Sequence, residues 1–306
     1  MGIPVASEEI LTLPDERAIC YAIYGDQNAP STVFYHHGLP GCHLEARLYH
    51  DAAKRHNIRL VSMDRPGLGR STFQPNRRLL DWPPDLLALA DHLRVDRFVV
   101  LRVSGGGPYA LVCLHLPPKD RCIGGGVVAG MYPAYLGTDG MALLNRILLR
   151  LVPTSPWLVE KAIDYMLGTA ARDTKHPENL ERMIQQSFRK RNGPDQTCMQ
   201  NDEKLLVNML ECLRSALSSG STGAAWEVKI VSSDWGFNLE DINIEEGTMV
   251  AWHGGLDTTV PVLMARRARE LIKGVEWRFS EQDGHVSIYA TRIEEVMVEM
   301  KAICTG

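Results

Sequence analysis

Ser104 is followed by three glycines and preceded by the apolar run Val99-Val100-Leu101-Arg102-Val103. A strand that turns into a helix at such a serine bends through a strained backbone. Small neighbours let the strand and helix approach. The turn projects the hydroxyl above the sheet and aims the Gly105 amide, at a helix N-terminus, at any negative charge that develops there. A second segment, Tyr35-His36-His37-Gly38-Leu39-Pro40-Gly41, also follows a strand. Gly38 permits its turn, and the Leu39 amide is a candidate second donor to the same charge. Further groups able to move or hold a proton lie in three more segments. These are Asp64-Arg65-Pro66-Gly67-Leu68-Gly69-Arg70-Ser71, the loop His253 to Pro261 with Asp257 in it, and Asp283-Gly284-His285.

These groups need a scaffold that presents them at one edge. Short apolar runs alternate with helical patterns through the first half of the chain, which argues for βαβ units and a mostly parallel sheet. Residues 10–13 and 18–24 read as an opening hairpin. Strands follow at 32–36, 58–63, 97–103 and 123–129, with helices over 43–55, 79–93 and 105–116. Strands at 248–253 and 275–279 and helices at 261–272 and 286–303 complete the pattern. Between them, residues 131–223 carry helical patterns and no convincing strand. A helical insert of that length in a regular sheet is a candidate lid, because ligands bind beyond the C-terminal ends of the strands. The expected organisation is a core over 1–130 and 224–306 with a helical cap over 131–223.

Five motifs, in this order and each at a strand end, resemble the α/β-hydrolase superfamily. The resemblance covers nearly the whole chain outside the insert. The His-Gly-x-Pro-Gly and Asp-Arg-Pro-Gly-x-Gly-x-Ser segments are similar to its capped, epoxide-hydrolase-like and esterase-like branch. Ser-Gly-Gly-Gly-Pro-Tyr-Ala and Trp235-Gly236-Phe237 point to a subgroup within it. The resemblance implies an eight-stranded α/β sheet with one antiparallel strand and a triad in the chain order Ser104, Asp257, His285. Ser104 would attack a carbonyl carbon, His285 would relay the proton, and Asp257 would orient the imidazole. Leu39 and Gly105 would supply the oxyanion amides, with Gly38 and His37 shaping their loop. The reaction implied is hydrolysis of an ester, lactone or thioester of a small to medium apolar molecule. It proceeds through an acyl-enzyme, with no metal or cofactor. A serine at position 104 argues against epoxide hydrolase and dehalogenase chemistry, which place aspartate there. Lyase, cyclase or acyl-transfer chemistry on the same triad is the alternative.

One position departs from the pattern. Where the family has glycine two residues before the nucleophile, this chain has Arg102. A long cation there distorts the turn, reaches solvent or a carboxylate, or sits beside the pocket. If it wrecks the turn, the protein is a binder rather than an enzyme. Simpler roles suit the remaining groups: His36 as strand-end packing, His37 as a loop support, and Asp64 with Arg65 as a buried pair.

Composition narrows the class. The chain has 306 residues, 45% of them hydrophobic and 23% charged, with a net charge of −4. That is ordinary for a globular protein. The densest basic cluster, Arg189-Lys190-Arg191, has no interleaved aromatics and reads as a solvated helix end rather than a nucleic-acid surface. The most apolar stretch, from 141 to 159, is broken by Asn145, Arg146 and Arg150, so no membrane span is expected. The N-terminus lacks a leader pattern, and neither acylation nor prenylation motifs fit. Seven cysteines without framework spacing suggest free thiols and a cytoplasmic location. The expected partner is a small apolar substrate. A homodimer is compatible with the sequence.

Overall fold

The computed structural model describes residues 6–191 and 193–306. The leader and acylation readings fall largely on residues 1–5, outside the described residues. Eight strands form one sheet: β1 (Glu9–Thr12), β2 (Ala18–Gly25), β3 (Ser31–His36), β4 (Ile58–Met63), β5 (Phe98–Val103), β6 (Cys122–Val128), β7 (Met249–Gly254) and β8 (Glu276–Ser280). Their spatial order is β1-β2-β4-β3-β5-β6-β7-β8. β2 runs against both of its neighbours and every other pairing is parallel. β3, β5 and β7 are buried along their whole length. This explains their near-continuous apolar sequences, because a parallel sheet is covered on both faces. Val99, Leu101 and Val103 pack into one core layer, while Val100 packs into the other with Trp82 and Tyr109.

The helices are α1 (His50–Arg55), α2 (Trp82–His92), α3 (Gly107–His115), α4 (Leu143–Leu151), α5 (Pro156–Ile163), α6 (Thr169–Ala171), α7 (Glu178–Arg189), α8 (Gly193–Asn201), α9 (Glu203–Ala216), α10 (Thr222–Ser232), α11 (Val262–Leu271), α12 (His285–Thr291) and α13 (Ile293–Thr305). Helices α4 to α10 all lie between β6 and β7. Among the described residues no helix is long and apolar enough to cross a membrane.

Two of the expected helices differ most from expectation. The helix expected over 43–55 begins as a tight 3-10 turn, His43–Tyr49, before α1. Contacts from outside shape that turn. Asp64 accepts the His43 amide at 2.7 Å, and Arg47 donates to Asn208 at 2.9 Å and to Glu211 on α9. The helix expected over 286–303 breaks at Arg292 into α12 and α13.

Asp64 and Arg65 do not pair with each other. Consecutive residues leaving a strand point to opposite sides, and these two find separate partners. Asp64 accepts the His43 and Arg70 amides and faces the His43 ring at 2.9 Å. Arg65 donates to Glu227 on α10 at 2.7 Å and to the carbonyls of His37 and Gly38 at 2.6 and 2.9 Å. Its guanidinium also lies 4.4 Å from the centre of the Tyr109 ring. Glu227 takes two further donors, Arg77 and the Tyr109 hydroxyl. All four side chains are buried.

Burial pushes the Glu227 carboxyl up, but the Arg65 and Arg77 guanidiniums outweigh that and hold it below the usual carboxylate range. Such a group stabilises the fold while it is ionised, and that stabilisation is lost as pH falls through its lowered value. Glu227→Ala strands two buried guanidiniums and should cost about 3–5 kcal/mol in urea melts near neutral pH. The gap to wild type should narrow in acid. A loss under about 1 kcal/mol would show that the guanidiniums find other acceptors.

Candidate active site

The site grows from the end of β5. Ser104 has a left-handed backbone, with φ of 53°, which a serine adopts only under tertiary pressure. The three glycines after it make the turn possible. A side-chain carbon on Gly105 would meet Leu39 Cβ at 2.5 Å, one on Gly106 the His36 carbonyl at 2.5 Å, and one on Gly107 the Met131 carbonyl at 2.3 Å. Strand, the loop of residues 36–39 and helix therefore converge at a point where no side chain fits. The Leu39 nitrogen would lie 3.2 Å from a Gly105 Cβ, so the two backbone segments expected to supply amides are adjacent.

His285 opens α12 and Asp257 sits on the loop after β7. The Ser104 hydroxyl lies 2.8 Å from His285 Nε2. On the other side of the ring, His285 Nδ1 lies 2.6 Å from Asp257 Oδ2. Both spacings are hydrogen bonds. With Nδ1–H donating to Asp257, Nε2 is left to accept from the serine. Asp257 Oδ1 accepts the amides of Thr259 and Val260, each at 2.8 Å. Burial pushes the Asp257 carboxyl up, yet His285, His253 and the Val260 amide prevail and hold it below the usual range. It therefore stays ionised beside the imidazole.

Gly38 and Leu39 border the cavities around Ser104, whereas His37 lies behind the loop, fully buried. Its Nδ1 is 2.9 Å from the Gly38 carbonyl, and its Nε2 accepts the Arg65 amide at 3.3 Å. Burial, reinforced by Arg65, keeps this imidazole well below its ordinary pKa.

Arg102 takes none of the courses weighed from sequence. It alternates with Leu101 and Val103 along β5, pairs with His36 across the sheet and is fully buried. Its three guanidinium nitrogens have no hydrogen-bond partner among the described residues, and burial lowers its pKa to about 10. The turn at Ser104 forms regardless.

Asp195, on α8, was not legible as part of the site. Its carboxylate accepts the amides of His285, Val286 and Ser287 at 3.1, 2.9 and 2.9 Å, capping the helix that carries His285. Aspartate is an ordinary cap residue, but this one lies 90 residues upstream of the helix it caps. No local pattern could reveal it.

Two cavities meet at Ser104. The narrower, about 210 Å³, is walled by Leu39, Gly105, Met131, Met141, Leu148, Met166 and Val228 among others. The wider, about 480 Å³, reaches Glu45, Asn208, His285 and Tyr289. Five of the six methionines between 131 and 209 line one or both; Met199 does not. Elsewhere, Cys20, His43 and Asp64 bring possible ligand atoms within 4.8 Å of one another. Burial and the Asp64 charge push the Cys20 thiol up, which disfavours the thiolate a metal requires.

Asp195→Ala should lower stability by about 1–2 kcal/mol, the usual cost of a lost cap. It should also weaken labelling of Ser104 by a fluorophosphonate, read by intact-protein mass spectrometry, because His285 loses its anchor; unchanged labelling would confine Asp195 to stability. Arg102→Met removes an unpaired buried charge at similar volume and should raise the melting temperature by a few degrees. A fall would mean that the guanidinium is satisfied in solution.

No protein-family model matches the chain, and no curated protein does. Solved structures do. A hydrolase from Pseudomonas aeruginosa PA01 is similar at 15% identity and a TM-score of 0.67, covering 99% of this chain and 100% of that one. A carboxylesterase structure from Nitrososphaera gargenis is similar at 13% identity and a TM-score of 0.68, covering 97% and 99%. The enol-lactonase from Burkholderia xenovorans LB400 is similar at 14% identity and a TM-score of 0.63, covering 97% and 100%. Identities this low speak to architecture alone. Together with the strand order and the turn at Ser104, they establish that the chain has the α/β-hydrolase fold.

Proposed function

We propose that this protein is a serine hydrolase that cleaves a carboxylic ester, lactone or thioester of a small to medium apolar molecule through an acyl-enzyme. The observation that carries the reading is the continuous hydrogen-bonded line from Asp257 through His285 to the Ser104 hydroxyl. A serine alone is a weak nucleophile; a neutral imidazole in contact with it, oriented by a carboxylate, is the arrangement that activates it. Ser104 attacks the carbonyl carbon while its proton passes to His285 Nε2. The Leu39 and Gly105 amides hold the oxyanion. Removing one such donor costs about 3–4 kcal/mol of transition-state stabilisation where that has been measured. The imidazolium then protonates the leaving group, and water, deprotonated by the same nitrogen, releases the acid.

The apolar walls of the narrower cavity support an apolar acyl group. Most of these walls come from the segment between β6 and β7, which we take to act as a lid over the nucleophile. Esterases and an enol-lactonase among the structural neighbours accord with this class of reaction. Arg102, which would have favoured a silent binder, is turned into the core and lends that reading no support.

Incubation with a fluorophosphonate should add one adduct, mapping to Ser104, by intact-protein and peptide mass spectrometry. Ser104→Ala should abolish both the adduct and turnover of short-chain p-nitrophenyl esters while leaving the melting temperature within a few degrees. His285→Ala should lower kcat by about 10⁴-fold or more. A folded wild-type protein that takes no adduct would overturn the reading.

A further inference from the structure

We infer that the wider cavity receives the leaving group of the substrate and that Glu45 recognises a hydrogen-bond donor, a hydroxyl or an ammonium, carried on that group. This rests on the acyl-enzyme reading above. In that reaction the leaving atom must come within reach of His285, which returns a proton to it. His285 borders the wider cavity and not the narrower one, whereas Gly105 borders the narrower and not the wider. Leu39 and Ser104 border both, so the two cavities divide the substrate at Ser104, with the acyl part beside Gly105 and the leaving part beside the imidazole.

The two walls differ in chemistry. Among the described residues, no ionisable side chain borders the narrower cavity apart from the nucleophile itself. The wider one carries Glu45, Arg191, Cys212 and Tyr289 besides His285. Arg191 is already engaged, lying over the Phe188 ring at 4.6 Å and 3.4 Å from Thr259 Oγ1. Glu45 sits on the 3-10 turn just beyond the oxyanion-type loop. Its Oε1 accepts from the Tyr35 hydroxyl at 2.7 Å and from the Gly38 amide at 3.0 Å; its Oε2 accepts the same amide at 3.1 Å. A carboxylate offers about four acceptor positions, so Oε2 keeps one free. Among the described residues it forms no ion pair; burial pushes the carboxyl up, and the Tyr35 and Gly38 hydrogen bonds and the Arg65 and His285 charges offset that only in part. A donor from the substrate is the group that would complete its shell and offset that burial.

Glu45 Oε2 also lies close to the chemistry. A side chain on Gly38 would stand 3.2 Å from Glu45 Oε2 and 3.5 Å from Ser104 Cβ. Because position 38 is glycine, no side chain stands between the carboxylate and the nucleophile. A two-carbon leaving group is short enough to carry a donor from one to the other.

The test uses three hexanoate esters that differ only in the leaving group: propyl, 2-hydroxyethyl and 2-aminoethyl. Wild-type kcat/KM should favour one or both donor-bearing esters over the propyl ester by about tenfold, the scale of one hydrogen bond to a charged group. Which of the two leads separates hydroxyl from ammonium recognition. Glu45→Gln can still accept from Tyr35 and Gly38, but turns an amide donor toward the cavity, so the preference should vanish or reverse. A purely structural role for Glu45 lowers all three rates together and leaves their ratios unchanged, which overturns the inference. Equal handling of the three esters by the wild type also overturns it. In both cases turnover and Ser104 labelling persist, so the hydrolase reading survives. If no ester turns over and Ser104 takes no fluorophosphonate, that reading has failed and this inference falls with it.

Discussion

The left-handed backbone at Ser104 is the constraint on which the rest of the structure depends. Holding a serine there costs about 1–3 kcal/mol and must be enforced by its surroundings. Enforcement comes from crowding: β5 enters, α3 leaves, and the backbones of residues 36–39 and 131 press on the three glycines between them. The same crowding sets the Leu39 segment beside Gly105 and leaves the hydroxyl facing the end of α12. The geometry of the whole site thus follows from one turn too tight to carry side chains.

Two carboxylates from the segment between β6 and β7 hold the two halves of this arrangement. Glu227 on α10 grips Arg65, and Arg65 in turn holds the carbonyls of His37 and Gly38. Asp195 on α8 caps the helix that begins with His285. One anchors the loop side of the serine and the other the imidazole side. Buried ionic groups of this kind add little to stability against an apolar replacement, but removing one partner is expensive. They fix position more than they add free energy.

The central strands were legible because parallel strands buried on both faces read as apolar runs, and their ends were marked by glycine, proline and charged residues. The motif residues were legible for the same reason, since each follows a strand directly. Asp195, Glu227 and Glu45 were not. Each is an acidic residue on a helix or turn, a type and setting that usually mean a solvated surface, and the partners of Asp195 and Glu227 lie far along the chain. Arg102 was visible as an anomaly, but its consequence was not. Strand alternation points it into the core layer opposite Leu101 and Val103, and only the pairing with β3 shows that His36 lies beside it.

The segment from β6 to β7 is consequently not an exchangeable part. It supplies most of the wall around Ser104, so replacing it with the corresponding segment of a relative is the obvious route to a new specificity. Such a graft would also remove the carboxylate under His285 and the one behind Arg65. A chimera that keeps the sheet, the serine and the histidine could still fold and yet present a misaligned site. Substituting the walls residue by residue leaves both anchors in place, whereas exchanging the segment as a whole must carry them along.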